Sequence, residues 1–247
     1  RSSVACGYSN LELDLETGRR GSRYSHVEDL LCRLTGAESA MVVNNNASAV
    51  FLMLHTMAQE KKVAISRGEL VEIGGSFRVP DIMRETRALL MEVGTTNKTH
   101  LFDYENAIAD GAQLLLKVHP SNFHISGFTE EVSLSDLSVL AGSAGIPLLY
   151  DLGSAFLTEA DRAGSSSGDS VRRAAACADA VCFSGDKLLG GGQCGILLGK
   201  RKWIEPMKKN PLSRVLRVDK MTLSALEQIL RLYLDPPKPG KRSLCSG

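Results

Sequence analysis

Lys187 stands between an apolar stretch, Asp179-Ala180-Val181-Cys182-Phe183, and the glycine run Gly190-Gly191-Gly192. The apolar residues read as a short buried strand, and the glycines let backbone approach a bound group closely. A lysine in that setting is poorly placed for packing and well placed for covalent chemistry, at a strand end facing a crevice. Thirty-six residues earlier, Ile146-Pro147-Leu148-Leu149-Tyr150 reads as another apolar strand, which ends on Asp151 and runs into Leu152-Gly153-Ser154. Taken singly, an acid or a lysine at a strand end is most often only solvated. Together and in this order they meet the needs of a pyridoxal phosphate enzyme. The lysine forms a Schiff base with the cofactor, and the carboxylate keeps the pyridine nitrogen protonated so that the ring acts as an electron sink. Ser184, three residues before the lysine, is within reach of the cofactor phosphate.

Such groups need a frame that brings distant strand ends together. Val27 to Leu34 carries an apolar helical stripe of Val27, Leu30, Leu31 and Leu34, and Ala49 to Gln59 reads as a second helix. Apolar strands are predicted at Ala40 to Val43, Lys62 to Ser66, Leu89 to Val93, Leu114 to Val118, Ile146 to Tyr150, Ala180 to Phe183 and Gly195 to Leu198. Helical stretches separate most of them. This alternation predicts an α/β fold, a mainly parallel seven-stranded sheet between helices, with the ligand outside the carboxyl ends of the strands.

Three polar segments fall at strand ends. Asn44-Asn45-Asn46-Ala47-Ser48 joins a strand to a helix, where free N–H groups and the helix dipole attract a phosphate; Asn45, Asn46 and Ala47 are its candidate residues. Asparagine also caps helices for structural reasons alone. After Leu114 to Val118 comes His119-Pro120-Ser121-Asn122. There an amide can contact the cofactor's phenolic oxygen and His119 can pack near the ring, although a histidine satisfied in a turn is an equal reading. The segment from Ser66 to Arg78, with Arg67 and Arg78, has too many charges and glycines for a core element and reads better as a loop lining a polar cleft.

Composition narrows the class. With 43% hydrophobic and 23% charged residues, the 247-residue chain has the make-up of an ordinary globular protein. It has no stretch of 18 apolar residues to span a membrane and no signal-peptide apolar region, so a cytoplasmic setting is expected. The six cysteines form no CxxC pair and have no histidine-rich spacing, which speaks against a metal site or a disulfide framework. Cys182 reads as a small buried hydrophobe, and Cys194, seven residues after Lys187, as a minor candidate for redox or nucleophilic chemistry. Lys200 to Lys220 holds eight Lys and Arg residues against Glu205 and Asp219, a local basic patch.

These residues lie within longer motifs, among them Tyr8-Ser9-Asn10-Leu11-Glu12, Gly18-Arg19-Arg20-Gly21-Ser22-Arg23, Val43-Asn44-Asn45-Asn46-Ala47 and Arg67-Gly68-Glu69-Leu70-Val71-Glu72-Ile73-Gly74-Gly75. Glu92-Val93-Gly94-Thr95-Thr96-Asn97, Ser184-Gly185-Asp186-Lys187-Leu188-Leu189-Gly190-Gly191 and Leu216-Arg217-Val218-Asp219-Lys220 extend the set. Through them the chain, from Tyr8 to about Tyr233, resembles the bacterial selenocysteine synthases, the L-seryl-tRNA(Sec) selenium transferases. The resemblance implies a fold-type I pyridoxal phosphate transferase large domain. It also implies a reaction in which Lys187 yields to the seryl amine, a dehydroalanyl intermediate forms, and selenophosphate supplies selenium. Arginine binds phosphate-type oxygens bidentately, and Arg20 and Arg23 near the start and Arg214 and Arg217 near the end are available. The resemblance implies that Arg214 and Arg217, with one arginine of the Gly18-Arg19-Arg20-Gly21 segment, form the donor-anion site. Seryl-tRNA(Sec), selenophosphate and a homodimer or larger ring of dimers would be the partners, with neither membrane nor DNA among them.

Against the family pattern, Gly192-Gln193-Cys194 replaces Pro-Gln-Ala, Phe123-His124 replaces Tyr-Arg, and Ala155 stands where glycine is typical. The resemblance also implies missing flanking domains. The expected organisation is an N-terminal segment over 1–25, a cofactor-binding catalytic core over 26–234 and a disordered tail over 235–247. Two other readings stay open at this stage: a related ammonia-lyase acting on a small amino acid or amino sugar, and a non-catalytic fragment that binds cofactor or a partner.

Overall fold

The computed structural model describes residues 2–73, 77–121, 123–157 and 169–235. The helices are α1 (Ser2–Cys6), α2 (Ser25–Thr35), α3 (Asn46–Met57), α4 (Val79–Glu85), α5 (Leu101–Ala109), α6 (Leu134–Ala144), α7 (Val171–Cys177), α8 (Arg201–Lys209), α9 (Leu212–Val215) and α10 (Lys220–Leu234). The strands are β1 (Ser39–Val43), β2 (Lys62–Ser66), β3 (Glu72–Ile73), β4 (Phe77–Arg78), β5 (Leu89–Val93), β6 (Leu114–Val118), β7 (Leu148–Gly153), β8 (Ala180–Ser184) and β9 (Gly195–Gly199). The expected tail lies outside the described residues, apart from Asp235.

Seven strands form one sheet in the order β1-β9-β8-β7-β6-β2-β5, and β3 and β4 make a separate antiparallel ribbon. Strands β5, β2, β6, β7 and β8 pair parallel. β9 runs antiparallel to both β8 and β1, so β1 points the same way as the other five. Both faces are covered. One is packed by α2, α5, α6, α7 and α10, the other by α3, α4 and α8. This two-sided burial explains why β1, β6 and β8 are buried at every position and read as continuous apolar runs rather than alternating ones. Among the described residues no helix is long and apolar enough to cross a membrane.

Two boundaries differ from the expected ones in ways that matter for the site. The strand expected at Ile146 to Tyr150 starts at Leu148, because Pro147 has no N–H to give the ladder, and it continues to Gly153. Asp151 therefore lies within β7 instead of following it. Helix α3 starts at Asn46 instead of Ala49, because the Asn45 side chain caps it by accepting from Ser48 N at 2.8 Å. At the sheet edge, β5 has one partner strand, and Leu89 and Leu90 are exposed although their segment reads as apolar.

A buried ion pair pins the loop after β2. Lys117 on β6 donates to Glu69 Oε1 at 2.9 Å and to the Val132 carbonyl at 3.1 Å, while Glu69 Oε2 accepts from Val118 N at 2.9 Å. Both side chains are under a tenth exposed. Removing the ammonium would strand a buried carboxylate, so Lys117→Met should destabilise the protein by about 3–5 kcal/mol. Urea denaturation checks this, and a change below about 1 kcal/mol would show that water already reaches Glu69.

Candidate active site

Because β1, β2, β5, β6, β7 and β8 point one way, their carboxyl ends share one edge of the sheet. β9 begins at that same edge. Gly195, its first residue, lies so close to the start of α3 that a Cβ there would sit 2.1 Å from the Asn45 carbonyl oxygen. Only glycine permits this approach. The bare α-carbon thus lets the N-terminus of α3 close over the ends of β7 and β8.

Asp151 is 1% exposed and faces α3, beside its register partner Cys182 on β8. Its Oδ1 accepts from Asn46 Nδ2 at 2.8 Å, from Gly153 N at 3.0 Å and from the Cys182 thiol at 3.6 Å. The Gly153 contact depends on a bulge between Asp151 and Gly153, where Gly153 adopts φ 61°. Its Oδ2 is buried and has no partner among the described residues. Burial pushes the Asp151 carboxyl above the usual carboxylate range. The Asn46 amide, the Gly153 N–H, the Cys182 thiol and the charge of Lys187 all oppose that rise.

Lys187 follows β8, the strand next to β7, and is exposed. Ser184 closes β8 and is 6% exposed. His119 continues from β6 and gives its backbone N–H to the Asp151 carbonyl at 2.8 Å. Its imidazole is half-buried, and burial, with Lys117 adding to the effect, holds its pKa below the ordinary value. The ring is therefore neutral near pH 7, suited to lying against an aromatic cofactor. Ser121 packs against Gly153: its Oγ is 3.2 Å from where a Cβ on that glycine would sit. Asn122 lies outside the described residues.

In the Asn-rich turn both asparagine side chains are engaged within the protein. The Asn45 side chain is spent on the helix cap and the Asn46 side chain on Asp151. What faces outward from the turn is backbone: Asn46 N and Ala47 N lie in the first turn of α3, where N–H groups have no intrahelical acceptor. Cys194 is buried, and its thiol is pushed up to about 12, chiefly by that burial, so the redox or nucleophilic reading is withdrawn.

Four of the six candidate arginines come together. A cavity of about 200 Å³ is lined by Glu12, Arg20, Arg23, Tyr24, Arg214 and Arg217, among others. Arg217 pairs with Val43 at the end of β1, and Asn44 N donates to the Leu216 carbonyl, so this cavity adjoins the same sheet edge. Glu12 is its internal anion. Oε1 accepts from Arg23 Nη2 at 2.6 Å and Nε at 3.2 Å, Oε2 accepts from Arg20 at 2.7 Å, and Arg217 stands 3.8 Å away. The Arg23 and Arg20 guanidinium groups hold the Glu12 carboxyl down to about 2. Sequence reasoning missed Glu12 as part of this cluster; its place in the Asn-Leu-Glu motif gives no hint that it meets arginines 8 and 11 residues later. Arg67 and Arg78 are not part of the cavity: Arg67 pairs with Glu92 at 2.8 Å, and Arg78 with Glu72 across the β3–β4 ribbon at 2.8 Å.

A mainly parallel seven-stranded sheet with these groups along one edge is the large domain of a fold-type I pyridoxal phosphate enzyme. Among solved structures, D-glucosaminate-6-phosphate ammonia-lyase is similar with a TM-score of 0.71 at 20% identity, covering 94% of this chain and 61% of that one. A serine palmitoyltransferase of Sphingomonas wittichii is similar with a TM-score of 0.63 at 14% identity, covering 93% and 55%. The L-seryl-tRNA selenium transferase family model matches residues 2–244, and the chain belongs to that family. The L-seryl-tRNA(Sec) selenium transferase of Alkaliphilus metalliredigens is 59% identical over 233 residues, and that of Maridesulfovibrio salexigens 58% over 235. These alignments cover 94% and 95% of this chain and 50% of each relative, so the chain spans about half the length of the curated relatives it matches.

The family is pyridoxal phosphate dependent, and the residues present fit that cofactor. Asp151 Oδ2, a buried carboxyl oxygen with no donor among the described residues, is the partner a protonated pyridine nitrogen would need. The neutral state of His119 is open to measurement. Because its folded pKa lies below the unfolded value of about 6.5, its contribution to stability is complete above that pH and is lost as pH falls through the lowered folded value. NMR titration should give a His119 midpoint below about 6.5, and His119→Phe should weaken the acid dependence of stability. A midpoint above that value would contradict the burial argument.

Proposed function

We propose that this chain carries the catalytic core for converting seryl-tRNA(Sec) to selenocysteinyl-tRNA(Sec), with selenophosphate as the selenium donor. The observation that supports it most strongly is the arginine cavity beside the Asp151–Lys187 edge, because a reaction between two phosphate-bearing substrates needs an anion site next to its lysine. Bound pyridoxal phosphate supplies the electron sink that makes loss of a proton and a hydroxyl from a serine feasible. The chain's own residues would divide the remaining work. Asp151 Oδ2 would hold the pyridine N–H, and neutral His119 would lie against the ring. Asn46 N, Ala47 N and Ser184 would receive the phosphate, with Ser121 and Asn122 near the phenolic oxygen. Lys187 Nζ would attach the cofactor and then, once released, move the α-proton.

In the cavity, Arg23 is spoken for twice, by Glu12 and by the Val218 carbonyl at 2.5 Å, and its side chain is 11% exposed. It serves as the fixed wall. Arg217, exposed and 3.8 Å from Glu12, and Arg214, exposed and with no partner among the described residues, keep free donors for an incoming anion. Arg20 is 69% exposed and can exchange Glu12 for a ligand. Arg67 and Arg78, drawn into outer ion pairs, would contribute only to a wider tRNA-facing surface. The same reading includes a cytoplasmic homodimer or larger ring of dimers.

The test uses the full-length protein with seryl-tRNA(Sec) and selenophosphate, following selenocysteinyl-tRNA. Product should form with the wild type. The double variant Arg214→Ala, Arg217→Ala should raise the KM for selenophosphate at least tenfold, while leaving pyridoxal phosphate absorbance intact. Faster turnover of free small amino acids or amino sugars than of the charged tRNA would contradict the proposal and favour an ammonia-lyase.

A further inference from the structure

Among the described residues the two oxygens of Asp151 are treated unequally, with three donors on Oδ1 and none on Oδ2. The donors are unequal as well. Gly153 N–H is a neighbour in the chain, delivered by the bulge, and the Cys182 thiol is a weak donor at 3.6 Å. The Asn46 amide, at 2.8 Å and 105 residues distant in sequence, is the one strong bond that ties the carboxylate to another element. Its direction is fixed by chemistry, since turning the amide over would set its oxygen against a carboxylate oxygen. The amide is held in place in turn. Asn45 caps α3 through Ser48 N, and Gly195 lets that cap approach β9 closely.

We propose that Asn46 is a positioning residue acting through Asp151, fixing its carboxylate so that Oδ2 faces the cofactor and keeping it ionised in a site closed to water. This rests on the reading of Asp151 as the partner of the pyridine nitrogen. A buried carboxylate that loses a donor binds a proton more readily, and a neutral carboxyl cannot support a positive charge on that nitrogen. The other titratable groups acting at Asp151 are Lys187, His119 and Cys182, and none of them can replace a neutral amide donor aimed at Oδ1. A contact from the Asn46 side chain to the phosphate would give the opposite forecast, which allows the two roles to be separated.

The experiment compares the wild-type holoprotein with Asn46→Ala, Asn46→Ser and Asp151→Asn. It measures dissociation constants for pyridoxal phosphate and for phosphate-free pyridoxal, and the pH midpoint of the bound chromophore's visible absorbance. A positive charge on the pyridine nitrogen disfavours a proton on the lysine-linked nitrogen, so losing that charge raises the midpoint. Asn46→Ala should raise it by about one pH unit and weaken pyridoxal phosphate and pyridoxal by the same factor, about tenfold. Asp151→Asn should shift it further in the same direction. Asn46→Ser, with a shorter donor, should fall between wild type and Asn46→Ala, and it decides the question if the alanine variant melts early. Weakening confined to pyridoxal phosphate, or an unmoved midpoint, would overturn the proposal. An unmoved midpoint in Asp151→Asn would instead overturn the reading of Asp151 on which it rests.

Discussion

Asp151 is a buried carboxyl between two helical layers which, among the described residues, has three donors on one oxygen and none on the other. Leaving a buried charged group half-satisfied is costly, and the surrounding structure is arranged around that cost. A bulge in β7 turns the Gly153 N–H inward, the residue beside it on β8 is a cysteine rather than a larger apolar residue, and the start of α3 is drawn in by the absence of a side chain at Gly195. Each feature adds a donor to Oδ1 or makes room for one, and none covers Oδ2. The asymmetry is what a ligand bearing an N–H would complete, and it gives the neighbouring positions of Lys187, Ser184 and His119 their meaning.

The arginine cavity follows a different principle. It lies beside the same strand ends but is open to water, so its charges are individually weak and act as a group. Glu12 offsets part of the repulsion among Arg20, Arg23 and Arg217 and keeps Arg20 and Arg23 in place. It also takes up arginine N–H donors that an incoming anion would otherwise find free. Asp151 and Ser184, proposed for the cofactor, are buried, while Arg20, Arg214 and Arg217, proposed for the anion, are exposed, as expected when a cofactor stays and a donor comes and goes.

Much of this was legible in the residues. All seven strands of the main sheet and its mainly parallel character followed from apolar runs spaced by helices, and Asp151, Ser184, His119 and Lys187 do fall along one edge. The inaccuracies have local causes. Pro147 delayed the start of β7, and the strand ran on to Gly153, which put Asp151 within it. An asparagine cap started α3 early and assigned the side chains of Asn45 and Asn46 to the helix and to Asp151. Partner choice among charges was the least legible feature. Nothing in the spacing of Glu12, Arg20, Arg23 and Arg217 separates them from Arg67 and Arg78, which pair with Glu92 and Glu72; only the fold distinguishes a cavity wall from an outer ion pair. Glu69 and Lys117 pose the same problem, since their partnership is invisible until β6 and the turn after β2 are adjacent.

The central claim is that a pyridoxal cofactor is held between Asp151 and Lys187 at this sheet edge. Borohydride reduction of the protein loaded with pyridoxal phosphate, followed by peptide mass spectrometry, tests it directly. The account predicts one pyridoxyl group, on the peptide containing Lys187, and its loss in Lys187→Ala. A pyridoxyl group carried mainly by another lysine, such as Lys200 or Lys208, would contradict it.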